Sequence, residues 1–165
     1  MIIIVEGIDR VGKSTFCRIL QGRGYKLLDS KIHTKQADVG TETYDRLQEE
    51  RTVAQAQLLS LLDKSAKIVI DRFHLSQAVY GLYERGRITW PHMQLLEEFI
   101  CHNALLVYIK PIDIVESSAQ HGKSLIEHAK YFDELYAASS LLKVSGTYKT
   151  LNGLLEFVED LENGN

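Results

Sequence analysis

The sequence predicts an α/β protein with a parallel sheet, and three features indicate this class. Short apolar runs alternate with amphipathic stretches of helical spacing along the chain. One of these runs is too short for a helix and ends in Asp71, as a buried parallel strand does when it presents a carboxylate at its end. A glycine-bracketed turn joins the first run to the first helix. The length of 165 residues fits a single domain, 1–165, folded as a three-layer sandwich with a five-stranded sheet.

The order of the elements follows from apolar spacing and from residues that begin or end helices. Glycines are expected to end the first helix near Gly22, and a threonine, Thr41 or Thr43, is expected to begin the second helix. Pro91 is expected to lie in the first turn of a later helix. Strands are predicted at 2–5, 25–29, 66–71, 104–109 and 143–145. Helices are predicted from the glycine turn to 22, and at 41–62, 75–83, 90–100, 112–118, 125–142 and 151–161. The polar stretch 30–40 is predicted to be a loop over the ligand cleft.

Composition and net charge do not favour a nucleic-acid or membrane partner. Apolar residues make up 45% and charged residues 25% of the chain, and the net charge is -3, so no overall basic field favours nucleic acid or a membrane. A polyanion must therefore be bound locally. The first apolar run lacks a basic flank, and no later run has membrane-spanning length. The two cysteines lack metal-ligand spacing and fit reduced thiols, so a cytoplasmic location is expected.

The turn after the first strand matches the phosphate-binding pattern G-x-x-x-x-G-K-[ST] at Gly7, Gly12, Lys13 and Ser14. Glycines allow backbone N–H groups to wrap a polyphosphate, and the following helix adds partial positive charge at its N-terminus. Lys13 would reach the terminal phosphates, and the Ser14 hydroxyl would hold Mg²⁺. The pattern therefore predicts binding of a nucleoside triphosphate. The predicted cofactor-binding residues are Gly7, Ile8, Asp9, Arg10, Val11, Gly12, Lys13, Ser14 and Thr15.

Asp71 is predicted to share the cleft with this loop. In an open parallel sheet the ligand crevice lies outside the carboxyl ends of the strands, so Asp71 and Gly7 should face the same space. An aspartate after a strand is equally typical of a helix N-cap. The phosphate-binding loop nearby favours a role at the metal, where Mg²⁺ accepts few carboxylates and several waters.

Two charged segments leave alternatives open. The segment 45–51 carries five charged residues that form either a solvated, ion-paired face or a substrate contact. Arg85 and Arg87 follow the helix at 75–83 and either neutralise its terminal carbonyls or bind an anion. No histidine pairs with a second donor at ligand spacing, so surface or helix-face positions are expected for them. The histidines considered are His74, His92, His102, His121 and His128.

Two separate motifs resemble thymidylate kinases. The segment 5–15 resembles the loop E-G-x-D-x-x-G-K-[ST]-T of that family, and the segment 71–80 is similar to its D-R-[YFH]-x-x-S-x-x-A-Y element. The resemblance covers most of the chain and implies the P-loop NTPase fold of nucleotide kinases, with ATP and Mg²⁺ as cofactors. It also implies a lid-like segment at about 117–125 and an adenine-side loop formed by Ser145, Gly146 and Thr147.

The resemblance also implies the roles of individual residues. Asp9 would meet a sugar hydroxyl of the acceptor, Arg72 would position its phosphate, and Arg10 with Lys13 would stabilise charge on the transferred phosphoryl group. These four are the predicted catalytic residues. Ser14 and Asp71 are the predicted metal ligands. The predicted substrate-binding residues are Asp9, Arg51, Arg72, Phe73, Ser76, Tyr80, Arg85 and Arg87.

The sequence departs from the family pattern in ways that bear on the acceptor. Leu47 stands where a stacking phenylalanine is expected, and the lid-like stretch has no arginine, which makes Arg10 the residue expected to stabilise charge. The short chain resembles compact, phage-type relatives. We therefore expect transfer of the γ-phosphoryl group of Mg-ATP to a small pyrimidine deoxynucleotide, dTMP or a modified analogue. The alternative acceptor is 5-hydroxymethyluracil in DNA.

A third possibility belongs to another functional class, a nucleotide-dependent switch. The absence of an N-K-x-D tetrad in the sequence disfavours it. The family resemblance implies a homodimer.

Overall fold

The computed structural model describes residues 1–29, 41–63, 65–112 and 125–164, and it confirms the predicted α/β class. Within these residues all strand pairs are parallel, and the order across the sheet is β2-β3-β1-β4-β5. The strands are β1 (Ile2–Glu6), β2 (Lys26–Asp29), β3 (Ile68–Asp71), β4 (Ala104–Lys110) and β5 (Leu142–Thr147).

Helices lie on both sides of the sheet, as the three-layer prediction requires. The described helices are α1 (Lys13–Gly22), α2 (Glu42–Ser60), α3 (His74–Arg85), α4 (Trp90–Leu95), α5 (Glu97–Ile100), α6 (Leu125–Ala138) and α7 (Leu151–Glu162). Thr41 caps α2, because its side chain accepts a hydrogen bond from the Tyr44 amide at 3.2 Å. The 3₁₀ turn Tyr148–Thr150 joins β5 to α7.

The central strand β1 positions the site. All five of its residues are buried, as expected for a strand with neighbours on both edges and helices over both faces. Val5 pairs with Asp71 on one side and with Val107 on the other. The chain fills the β3 side of β1 before it crosses to the β4 side, so the switch point of the sheet lies beside β1. The turn that leaves β1 therefore opens into the ligand crevice.

The predicted helix 90–100 is divided into the short helices α4 and α5. The break lies at Leu96, whose amide donates to the Met93 carbonyl at 3.2 Å, while the Phe99 amide donates to the Leu96 carbonyl at 3.2 Å. These three-residue spacings tighten the chain locally, and apolar periodicity does not reveal them.

The predicted helix 125–142 ends early, at Ala138. Two serines follow, and Lys143, which lies in β5, satisfies the exposed end of α6. Its Nζ donates to the carbonyls of Tyr136 at 2.9 Å, Ala137 at 2.9 Å and Ser139 at 2.7 Å. An ammonium at the C-terminus of a helix is favourable because it meets orphan carbonyls and the negative end of the dipole.

Three predicted segments lie wholly or largely outside the described residues. They are the loop 30–40, the helix 112–118 beyond Ile112, and the lid-like segment 117–125, of which only Leu125 is described, at the start of α6. Across the parts of the chain that the structure describes, no helix combines the length and apolar character needed to span a membrane.

Candidate functional site

The predicted phosphate-binding loop, residues 7–12 and called the phosphate loop below, requires glycine at both ends. Gly7 has φ 139° and Gly12 has φ 99°, values in the region that L side chains rarely adopt. A Cβ on Gly7 would collide with the Ile109 carbonyl oxygen, and a Cβ on Gly12 would lie 2.5 Å from the Tyr148 ring. Backbone conformation and close packing therefore both select glycine here.

Arg10 and Arg72 also have left-handed backbones, with φ 65° and 73°. A non-glycine residue in this region carries strain on the order of 1 kcal/mol, and such strain concentrates at functional sites. Arg10 lies within the phosphate loop, and Arg72 follows β3. The two strained arginines belong to the two motifs that the sequence analysis selected independently.

One cleft of about 410 Å³ brings these two motifs together at the carboxyl edge of the sheet. With one exception, every residue that lines it was a predicted site residue. The exception is Tyr148. The lining residues are Asp9, Arg10, Gly12, Lys13, Ser14, Thr15, Asp71, Arg72 and Tyr148.

Lys13 is a buried cation with little compensation from the protein. Its side chain donates a hydrogen bond to the Ile8 carbonyl, and the residue is 5% exposed. Burial first and the nearby Arg72 charge second lower the pKa of Lys13 to about 8, while the carboxylates of Asp71, Asp9 and Glu6 act in the opposite direction. An anion placed beside this ammonium would supply the missing charge.

Ser14 and Asp71 meet across the cleft, since the Ser14 Oγ donates to Asp71 Oδ2 at 3.0 Å. A hydroxyl and a single carboxylate are hard oxygen ligands that suit Mg²⁺ when waters and phosphate oxygens complete its shell. Among the described residues, no group of three or more His, Cys, Asp and Glu side chains could hold a metal by itself. The donor set therefore fits a magnesium ion that arrives with a phosphate ligand.

Arg72 is held between the phosphate loop and α3. One guanidinium nitrogen pairs with the Asp9 carboxylate, and the other donates to the Tyr80 hydroxyl at 2.7 Å. The guanidinium carbon also lies 4.9 Å from the centre of the Tyr80 ring. Burial alone would lower the pKa of Arg72, but Tyr80 and Asp9 raise it, so the group remains a cation. Three predicted substrate-binding residues thus form one contact set.

Glu6 attaches the last residue of β1 to the start of α3. Its Oε1 accepts from the amides of Phe73 at 2.9 Å, Leu75 at 3.0 Å and Ser76 at 3.2 Å, and its Oε2 accepts from the Ser76 hydroxyl. A carboxylate bonded to the first amides of a helix is an N-terminal cap, and its negative charge interacts favourably with the positive end of the helix dipole. Two predicted substrate residues, Phe73 and Ser76, are therefore buried in this cap.

Other predicted contacts lie away from the cleft. Arg85 pairs with Asp45 at 3.4 Å, both side chains being less than a tenth exposed, and Arg87 pairs with Glu49 at 3.3 Å. These pairs join the region at the end of α3 to the first half of α2, so the segment is ion-paired, but the Arg85–Asp45 pair is buried and not on a solvated face as that interpretation expects. Arg51 is half-buried on α2 and does not line the cleft. The structure does not bring these three arginines to the phosphate loop.

Ser145, Gly146 and Thr147 form the end of β5, and none of them lines the cleft. Gly146 is packed closely, because a Cβ there would lie 2.6 Å from Thr150 Oγ1. The next residue, Tyr148, lies against Gly12 with 55% of its surface exposed. Sequence reasoning overlooked this tyrosine, although an aromatic residue directly after the predicted adenine-side loop was an available signal.

His74 and His128 occupy helix-face positions, one of the two placements expected for the histidines, and both are buried. His74 is fully buried and its Nε2 lies 2.8 Å from Glu97 Oε1, while His128 is buried between the rings of Tyr80 and Tyr83. Both lie on helix faces that pack inward. Neither contact has a local signal in the sequence, because each partner comes from another element.

Comparison with solved structures identifies the fold. The YorR protein of Bacillus subtilis, solved in complex with phosphorylated GDP, is 19% identical, with a TM-score of 0.68 over 99% of this chain and 98% of that chain. Deoxyadenosine kinase from M. mycoides, solved with dCMP and dCDP, is 16% identical, with a TM-score of 0.56 over 99% of both chains. The chain has the fold of the P-loop nucleotide kinases. No protein-family model and no curated protein matches the sequence.

Proposed function

We propose that the protein is a phosphotransferase that moves the γ-phosphoryl group of Mg-ATP to a pyrimidine deoxynucleotide, dTMP or a modified analogue. The observation that carries this proposal is the shared cleft: Lys13 and Ser14 line it beside Asp71, and Arg72 faces them. Donor phosphates and an anionic acceptor can therefore bind within reach of each other, as in-line transfer requires.

The residues act by positioning and by electrostatics, so no nucleophilic side chain is needed. Lys13 would bind the terminal phosphates, and Arg10 would stabilise charge that develops on the transferred group. Asp9 would orient a sugar hydroxyl of the acceptor, and Arg72 would bind its phosphate. Magnesium held by Ser14 and Asp71 would neutralise charge on the bound triphosphate.

A phosphotransfer assay with several acceptors tests the proposal. γ-Labelled ATP and Mg²⁺ are incubated with the protein and with dTMP, with deoxynucleosides, or with DNA that contains 5-hydroxymethyluracil. We expect label on dTMP or a close pyrimidine analogue. Label on the DNA alone would establish the alternative acceptor. Label on a deoxynucleoside would show that the acceptor group is a nucleoside hydroxyl and not the phosphate of a nucleotide.

Variants separate the acceptor role from general damage. In Arg72→Gln, addition of the acceptor should no longer stimulate ATP turnover. Binding of Mg-ATP, measured by calorimetry, should be retained. Arg46→Gln is the matched control, because Arg46 makes an exposed pair with Glu50 on α2 at 3.5 Å. A wild-type protein that binds no ATP in the presence of Mg²⁺ would exclude the proposed function. Strong GTP preference without acceptor stimulation would favour the switch.

A further inference from the structure

The turn that carries Arg72 is held from two sides by buried carboxylates. Glu6, from the strand that precedes the phosphate loop, bonds the first amides of α3. On the other side His74, the first residue of α3, makes a 2.8 Å bond to Glu97 of α5. The side chains of His74 and Glu97 are at most 1% exposed. The start of α3 is therefore tied to β1 and to α5.

Glu97 is itself fixed by a third part of the chain. Its Oε2 accepts from the Ser140 amide at 2.7 Å and from the Ser140 hydroxyl at 2.8 Å, in the segment between α6 and β5. Burial alone would raise the pKa of Glu97, but the bonds from His74 and the two serines at 139–140 lower it to about 2. Glu97 is thus an anionic anchor at working pH.

His74 depends on this anchor for its orientation. Within the described part of the chain, its Nδ1 has no hydrogen-bond partner, so Nε2 supplies the polar contact that holds the ring. The ring also contacts Phe73, with centroids 5.4 Å apart, and stacks on Trp90 at 6.2 Å. The imidazole therefore sits between the residue next to Arg72 and the helices α4 and α5.

Arg72 needs such support at both its backbone and its side chain. Its left-handed φ of 73° persists only when the surrounding structure determines it. Its side chain donates to Tyr80, which lies on the same helix that His74 begins. A shift at the start of α3 would therefore move the backbone of Arg72 and the hydroxyl that orients its guanidinium.

We propose that His74 and Glu97 are positioning residues that fix Arg72 for the acceptor. This inference rests on the proposed function in assigning the acceptor to Arg72. The donor side is built mainly on a different helix, α1, which carries Lys13 and Ser14. Loss of the pair should therefore impair the acceptor half of the site more than the donor half, although Asp71, which bonds Ser14, directly precedes Arg72.

Hydrogen exchange of the ligand-free protein tests the positioning without any assay of activity. We compare wild type with His74→Leu, which removes the bond, and with His74→Gln, whose amide can still donate to Glu97. Tyr25→Phe is the control for loss of a partly buried hydrogen bond, since Tyr25 donates to Glu162 at 2.7 Å and neither residue lines the cleft. We expect roughly tenfold faster exchange at 72–76 in His74→Leu, recovery in His74→Gln, and no change at 13–16.

Steady-state kinetics with dTMP as acceptor probe give the second readout. We expect kcat/KM for dTMP to fall roughly 10- to 100-fold in His74→Leu, while KM for Mg-ATP stays within about twofold, because small displacements of a positioning group are amplified in the rate. His74→Gln should recover most of the loss. If His74→Leu does not fold, Ser140→Ala removes one bond from Glu97 and should show the same split at smaller amplitude.

The outcomes separate this inference from the proposed function. Exchange at 72–76 that matches wild type in His74→Leu, or that rises no more than in Tyr25→Phe, overturns the positioning role. A rise in KM for Mg-ATP as large as the fall in kcat/KM for dTMP also overturns it. If the wild type transfers no phosphoryl group to dTMP or to any pyrimidine deoxynucleotide analogue, the proposed function fails, and the exchange measurement alone decides whether the pair fixes Arg72.

Discussion

Glu6 and Lys13 are buried charged residues at the two ends of the phosphate loop, but they differ in how many hydrogen bonds the protein provides to each charge. Glu6 is 0% exposed and accepts bonds from three backbone amides and one hydroxyl at the start of α3. Lys13 is 5% exposed and donates to a single carbonyl, that of Ile8. Burial lowers its pKa to about 8.

The difference shows which charge belongs to the fold and which to the ligand. A buried charge whose bonding capacity is filled by the protein stabilises the structure and has nothing left to offer a substrate. A buried charge with unused donors is costly in the empty protein and becomes favourable when an anion binds. We therefore expect substitutions at the two positions to change stability in opposite directions.

Arg10→Ala should produce the largest effect, and it should fall on catalysis alone. Arg10 lines the cleft and is exposed, so its removal leaves no buried group unpaired. We expect turnover to fall on the order of a thousandfold, about 4 kcal/mol in activation free energy, with little change in ATP affinity or in the midpoint of urea unfolding. Unchanged turnover would remove Arg10 from the mechanism.

Glu6→Ala should be the largest loss of stability. Three amides and the Ser76 hydroxyl would be left buried without their acceptor, which we expect to lower the free energy of unfolding by about 3 kcal/mol. Urea unfolding measures this change. Ser76→Ala, which removes only the hydroxyl bond, should cost clearly less. An equal loss in both variants would mean that the amide bonds contribute little.

Lys13→Met should stabilise the empty protein by about 2 kcal/mol at pH 7 and abolish ATP binding. Between pH 8 and 10.5 the unfolded chain binds a proton at Lys13 that the folded protein does not. The stability of the wild type therefore rises with pH relative to the variant over this window, and the advantage of methionine disappears above it. Urea unfolding at pH 7 and pH 9.5 checks both points, and equal stability of the two proteins at pH 7 would contradict them.

Gly12→Ala should have the smallest effect of the four, a loss of about 1 to 2 kcal/mol from positive φ and from collision with Tyr148. Tyr148→Ala removes the collision but not the backbone strain. The double variant should therefore recover part of the loss, and a double-mutant cycle in urea measures that part. Strict additivity would show that backbone strain alone selects glycine at this position.

The sequence was informative where the signal is local. The strand cores, the phosphate loop and the Asp71–Arg72 turn each consist of neighbouring residues whose types reveal their environment, and the structure places the last two in one cleft. Contacts between distant elements carry no such pattern. His74 and Glu97 are 23 residues apart in the sequence, and Arg85 forms an ion pair with Asp45 on another helix. The end of α6 likewise depends on Lys143, a residue of the next strand, so periodicity alone extended the helix too far.

The left-handed backbones of Arg10 and Arg72 have a consequence for protein engineering. Glycine adopts such angles without steric penalty, so replacing either arginine relieves a local conflict in the chain. Replacing Arg72 also removes its ion pair with Asp9 and its bond to Tyr80. A library screened only for heat resistance should therefore be enriched in glycine at position 10, where the side chain is exposed, and the surviving clones should be inactive.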